Sequence, residues 1–149
     1  MMPYLQECVL CNADGGILIA STDRWRVIRA LDQEGFPLTY RVVWNAHVAE
    51  FSDLSQDERH ECMAAVAWVE QAMRRFLQPQ KINLAAFGNM VPHLHWHLVA
   101  RYPWDSRFPA SPWAAPVREN AVERWEALLP QQQQLEQYLC DDVALAHGY

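Results

Sequence analysis

This 149-residue chain has no apolar run of transmembrane length, only five glycines, and no surplus of basic residues. A membrane span needs roughly 20 consecutive apolar residues, so no membrane partner is expected. The start, Met1-Met2-Pro3-Tyr4-Leu5-Gln6-Glu7, lacks a basic stretch followed by an apolar one. A secretory leader is therefore not expected, and the cytoplasm is the default location. There the four cysteines should be reduced thiols or metal ligands rather than disulfides. No stretch is rich enough in Gly or Ser to serve as a linker, and no internal repeat is visible, so a single domain over 1–149 is expected. The formal net charge of −6 argues against a nucleic-acid binder, which would present a basic face. A small anionic substrate remains compatible, held by a few local groups such as Arg101, Lys81 and backbone N–H donors.

What is present is the composition of a globular protein, 51% hydrophobic and 20% charged, with seven tryptophans best assigned to core or interface. Ile17-Leu18-Ile19-Ala20, Trp25-Arg26-Val27-Ile28-Arg29 and Thr39-Tyr40-Arg41-Val42-Val43-Trp44 read as strands, separated by Ser21-Thr22-Asp23 and by Gly35-Phe36-Pro37. Ser55-Gln56-Asp57-Glu58 spells a capping box, and Cys62, Val66, Val69, Met73 and Phe76 follow at helical spacing until Pro79. Cys62 thus reads as packing. Lys81–Ala85 is a fourth strand, and 87–92 a loop. Residues 102–117, with four prolines, should be irregular. Asn120–Leu129 and Gln131–Leu139 look helical, with Pro130 suited to a first turn. The sum is an α+β domain: about five antiparallel strands, one long central helix and a helical tail.

The informative segment is His93-Leu94-His95-Trp96-His97, a fifth strand. Alternation puts the three imidazoles on one face and Leu94, Trp96 and Leu98 on the other. A lone strand histidine is usually structural; three in alternation need another explanation. All three cannot readily close on one ion, because same-face neighbours stand ~6.8 Å apart and Zn–N bonds span only ~2.1 Å. A row of side chains that titrate near neutrality suits nucleophilic or proton-transfer work, with His95 at its centre. Separately, Cys8-Val9-Leu10-Cys11 reads as half of a zinc site, as a redox pair, or as two merely packed cysteines with His47 on the surface, and no helix start is evident to activate a thiol.

The run His93-Leu94-His95-Trp96-His97-Leu98-Val99 resembles the signature of the histidine triad superfamily. Lys81-Ile82-Asn83-Leu84, the loop Gly88-Asn89-Met90-Val91-Pro92, and Val42–Val48 with Phe51–Ser55 agree in order over about 4–105, leaving 106–149 as an extension. The likeness is to bacterial members described as diadenosine polyphosphate hydrolase-like. It implies a hydrolase or nucleotidyltransferase cleaving phosphoanhydride or phosphoramidate bonds of nucleotides through a nucleotidyl-histidine. His95 would be the nucleophile, His97 would contact phosphate oxygens, and His93 would orient the row. Asn83, Gly88 and Asn89 would bind substrate, although turn or strand-edge roles suit both asparagines equally. The resemblance also implies a closed, structural zinc site of Cys8, Cys11, His47 and His93, no metal in the chemistry, and a homodimer. Two departures stand out: Thr39-Tyr40-Arg41 lacks the additional histidine of many members, and Asp32 is only an approximate match to their ribose-binding carboxylate. A non-catalytic nucleotide sensor, with a partner surface in Trp104–Trp113, is the competing expectation; a protein whose histidines chelate a catalytic zinc is a third.

Overall fold

A computed structural model describes residues 2–147. Five strands, β1 (Ile17–Ser21), β2 (Trp25–Arg29), β3 (Thr39–Trp44), β4 (Lys81–Ala85) and β5 (His95–Arg101), form one antiparallel sheet in the order β1-β2-β3-β5-β4. The helices are α1 (Val9–Asn12), α2 (Gln56–Leu77), α3 (Val122–Glu126) and α4 (Leu129–His147). None is long and apolar enough to cross a membrane.

Period-two alternation sorts the central strands into two faces. Tyr40, Val42 and Trp44 of β3, with Leu98 and Ala100 of β5, join the core formed with Val66, Val69 and Met73 of α2 and Leu135 and Leu139 of α4. The opposite face carries Ile28 and Val43, which pack against Cys8 and Leu10 in a small second cluster. That second face also carries Arg41, His95 and His97, and the register sets Arg41 beside His97 and Val43 beside His95.

The long helix starts as its sequence dictates. Ser55 Oγ accepts from the Glu58 backbone N–H at 3.2 Å, and the Glu58 carboxylate accepts from the Ser55 N–H at 2.9 Å. The helix ends at Leu77, and the residue that caps it, Gln78, is left-handed and immediately precedes Pro79.

The C-terminal helices depart from the expected bounds. The first helix spans only Val122–Glu126, whereas the second begins at Leu129 and continues to His147. Pro130 lies in its first turn, where a missing N–H costs nothing, so the helix starts before it. Buried Leu135 and Leu139 then hold it against α2. Polar ties add to this: Glu136 accepts from Arg29 Nε at 2.5 Å and the Tyr40 hydroxyl at 3.1 Å, and Asp142 accepts from Trp68 Nε1 at 2.8 Å.

Candidate active site

The three histidines divide into two environments. His93 precedes β5 and is fully buried. His95 and His97 line a cleft of about 610 Å³ together with Asp32, Gln33, Glu34, Arg41, Phe87, Gly88, Asn89, Met90, Val91, Arg107 and Trp113.

His95 Nδ1 lies 2.6 Å from the His93 carbonyl oxygen. A carbonyl only accepts, so Nδ1 carries the ring's proton and Nε2 keeps its lone pair. Burial holds the His95 pKa below the ordinary histidine value, opposed by this hydrogen bond, so the neutral ring is favoured at pH 7. A neutral imidazole with a free nitrogen beside an open cleft is a competent nucleophile.

The tautomer of His97 is opposite. Its Nδ1 accepts from Arg41 Nε at 3.2 Å, which places its single proton on Nε2. Burial, the Arg41 charge and His95 together push the His97 pKa down to about 4. Arg41 is held in turn by Asp32, 2.9 Å from Nη2. Phe87 and Trp113 stand against the His97 ring with centroids at 5.9 and 5.3 Å, and His95 is 4.8 Å away.

His93 does not line the cleft. Its Nε2 lies 2.6 Å from the Trp44 carbonyl, which fixes the proton there and leaves Nδ1 bare. That nitrogen is 3.4 Å from Cys8 Sγ, 3.6 Å from Cys11 Sγ and 3.3 Å from His47 Nδ1; Cys11 Sγ and His47 Nδ1 are 3.4 Å apart. The four donor atoms all lie within 4.8 Å of one another. A tetrahedral ion with bonds of ~2.0 Å to nitrogen and ~2.3 Å to sulfur spaces its nitrogens ~3.3 Å apart and nitrogen from sulfur ~3.5 Å. The four measured separations match those edges, so these residues could hold a metal ion. The peptide bearing the cysteines is fixed by Arg26, which donates to the carbonyls of Leu10, Ala13 and Asp14 at 2.8–3.1 Å.

Other residues singled out in the sequence fall in varied places. Gly88 and Asn89 line the cleft, and Gly88 adopts φ +75°, a left-handed value that favours glycine. Asn83 is not among the cleft-lining residues; its Oδ1 accepts from Arg101 Nη1 at 2.7 Å. Arg101 is buried in an ion pair with Asp105, and Lys81 donates to the Ile82 carbonyl, so neither faces the cleft. Asp32 does line it, as an exposed carboxylate paired with Arg41. Trp104 stacks on Tyr102 at 4.6 Å and meets Trp125 at 4.7 Å, whereas Trp113 belongs to the cleft. The stretch between the two tryptophans is thus partly interior. Sequence reasoning missed Arg41, Arg107, Phe87 and Trp113 as cleft residues. The only available signal for Arg41 was its place on the strand where many relatives carry a histidine.

Comparison with known proteins agrees with this fold. The family model for the HIT domain matches residues 18–104. No curated protein matches the chain. Among solved structures, a histidine triad protein from Bradyrhizobium japonicum superposes with TM-score 0.66 at 23% identity, covering 91% of this chain and 99% of that one. One from Marinobacter aquaeolei gives TM-score 0.67 at 22% identity, covering 93% and 99%. A Plasmodium falciparum diadenosine triphosphate hydrolase is similar at TM-score 0.57 and 12% identity, covering 83% and 78%. The five-stranded antiparallel sheet, the long helix and the match across more than half its length place this chain in the HIT domain family.

Proposed function

We propose that this protein is a nucleotidyl hydrolase or transferase that cleaves phosphoanhydride or phosphoramidate bonds of nucleotides through a covalent adduct on His95. The observation that carries the reading is the 2.6 Å contact between His95 Nδ1 and the His93 carbonyl, which leaves Nε2 unprotonated beside the cleft. The diadenosine triphosphate hydrolase among the structural relatives supports the substrate class. Nε2 attacks the α-phosphorus, a P–N bond forms as the bond to the leaving group breaks, and water then releases the nucleotide. The Nε2–H of His97 donates to the charge developing on the phosphoryl oxygens. Gly88 and Asn89, in the loop lining the cleft, supply further donors to the phosphate.

The test is a covalent trap. Protein incubated with diadenosine triphosphate and denatured at alkaline pH should show an added nucleotidyl mass mapping to residues 93–97, absent from His95→Ala. Nucleotide binding without adduct or turnover would replace the enzyme by a sensor.

We further infer that Cys8, Cys11, His47 and His93 bind a structural zinc ion. All four positions are taken by protein, so the ion supplies folding energy and no open coordination site.

A further inference from the structure

Arg41 belongs to neither the histidine row nor the four-residue cluster, yet it contacts His97, the imidazole that lines the cleft beside His95. Its guanidinium bridges two residues, with Nε donating to His97 Nδ1 at 3.2 Å and Nη2 pairing with Asp32 at 2.9 Å. A guanidinium keeps its protons throughout the physiological range, so this nitrogen of His97 can only accept. His97 then owns a single proton, on Nε2, and giving it away would leave an imidazolate. Such a residue can donate a hydrogen bond but cannot act as a general acid.

We infer that Arg41 is a positioning residue that locks His97 as a donor which keeps its proton. The cleft therefore suits nucleotide anhydrides, whose leaving group departs as an anion, over phosphoramidates, whose amine needs a proton to leave. The inference rests on the nucleotidyl-transfer reading above. The balance of the step is simple. The P–N bond to His95 forms, the P–O bond breaks, and the leaving phosphate takes the electron pair with no proton from His97. The adduct retains the Nδ1 proton shared with the His93 carbonyl. Water then attacks phosphorus, the P–N electron pair returns to Nε2, and the surplus proton passes to solvent.

The surroundings of His97 agree with this assignment. Arg41 comes from β3, His95 from β5 with His97 itself, and Asp32, Glu34 and Arg107 complete the charged lining. Phe87 and Trp113 cover the ring's flanks with apolar surface. Burial and the Arg41 charge both resist a second proton, and only Asp32 favours one.

The experiment pairs two substrates with two variants. Wild-type protein is expected to turn over diadenosine triphosphate at least ~100-fold faster than adenosine 5′-phosphoramidate, the range a missing general acid produces. Arg41→Leu frees His97 Nδ1 for a second proton; the preference should shrink at least ~10-fold, with phosphoramidate turnover rising below neutral pH. Arg41→Lys keeps a cationic donor and should retain the wild-type preference. Nitrogen NMR of the His97 ring should show one proton, on Nε2, between pH 7 and 5 in the wild type and a second in Arg41→Leu. Comparable wild-type rates on both substrates, or a wild-type His97 protonated at Nδ1, would overturn the inference alone. No wild-type turnover of either substrate would overturn the nucleotidyl-transfer reading and this inference with it. The wild-type spectrum and substrate pair need no variant, so they decide the matter even if Arg41→Leu fails to fold.

Discussion

Each side chain of the histidine row is defined by what its second nitrogen touches: a sulfur cluster for His93, a carbonyl for His95, a guanidinium for His97. For His97 the folded-state pKa, about 4, lies below the ordinary 6.5. The unfolded chain therefore takes up the proton first, so this contribution is full above pH 6.5 and is lost as pH falls toward 4. Denaturant unfolding at pH 7, 5.5 and 4 should show a steeper acid loss in wild type than in His97→Asn, by on the order of 2–3 kcal/mol. Equal slopes would mean that His97 is not buried neutral. Cysteine reactivity is a second test at this scale. Burial pushes the Cys62 thiol up to about 12, while Cys140 is exposed. Iodoacetamide at pH 8 should label Cys140 in the native protein and reach Cys62 only after unfolding. The sequence made the row legible because strand alternation is local. Arg41 was not legible as a neighbour of His97, because that contact depends on the register between β3 and β5, across 56 positions of chain.

Among the elements, the irregular segment after β5 brings Arg107 and Trp113 into the cleft. It is ordered by one buried carboxylate. Asp105 accepts from Arg101 Nε and Nη2 at 2.9 and 3.2 Å, and from the backbone N–H groups of Tyr102, Arg107 and Phe108 at 2.7–3.0 Å. Burial alone would raise its pKa, but these donors hold it below the usual carboxylate range. Asp105→Ala strands the Arg101 charge in the interior and should cost roughly 3–5 kcal/mol in chemical denaturation. It should also weaken nucleotide binding by loosening Trp113. By contrast, Ser55→Ala removes only a helix cap and should cost about 1 kcal/mol with no effect on turnover. Proline content correctly marked 102–117 as irregular, yet nothing local in the sequence distinguishes a wrap held by five hydrogen bonds from a loose one. The helical tail was legible as helix but not in extent. Its last turns follow from the packing of Leu135 and Leu139 on α2, a contact between distant parts of the chain.

At the scale of the whole molecule, the fold is two unequal layers on one sheet: helices α2 and α4 on one side, and the small cluster of Cys8, Leu10, Ile28 and Val43 on the other. The N-terminal peptide is joined to that second side by the packing of Cys8 and Leu10, by the Arg26 hydrogen bonds and by the four-residue cluster. Purified protein is expected to carry one zinc per chain by elemental analysis. Removing it with a chelator, or replacing Cys8 and Cys11 by Ser, should lower the Tm markedly and expose residues 2–16 to proteolysis. On the structural role proposed for the ion, turnover measured well below the new Tm should persist; strictly metal-dependent turnover would contradict that role.

Position 93 serves two masters through two different parts of one residue, its ring and its peptide oxygen. Every amino acid brings the same oxygen, so the acceptor that aims His95 cannot be deleted by substitution. Replacing His93 therefore interrogates the knuckle of sulfurs and imidazoles while His95 keeps its orienting contact for as long as the chain path survives. Mutational tolerance at 93 would gauge how far that path depends on the cluster with Cys8, Cys11 and His47, and would say little about the part proposed for His95.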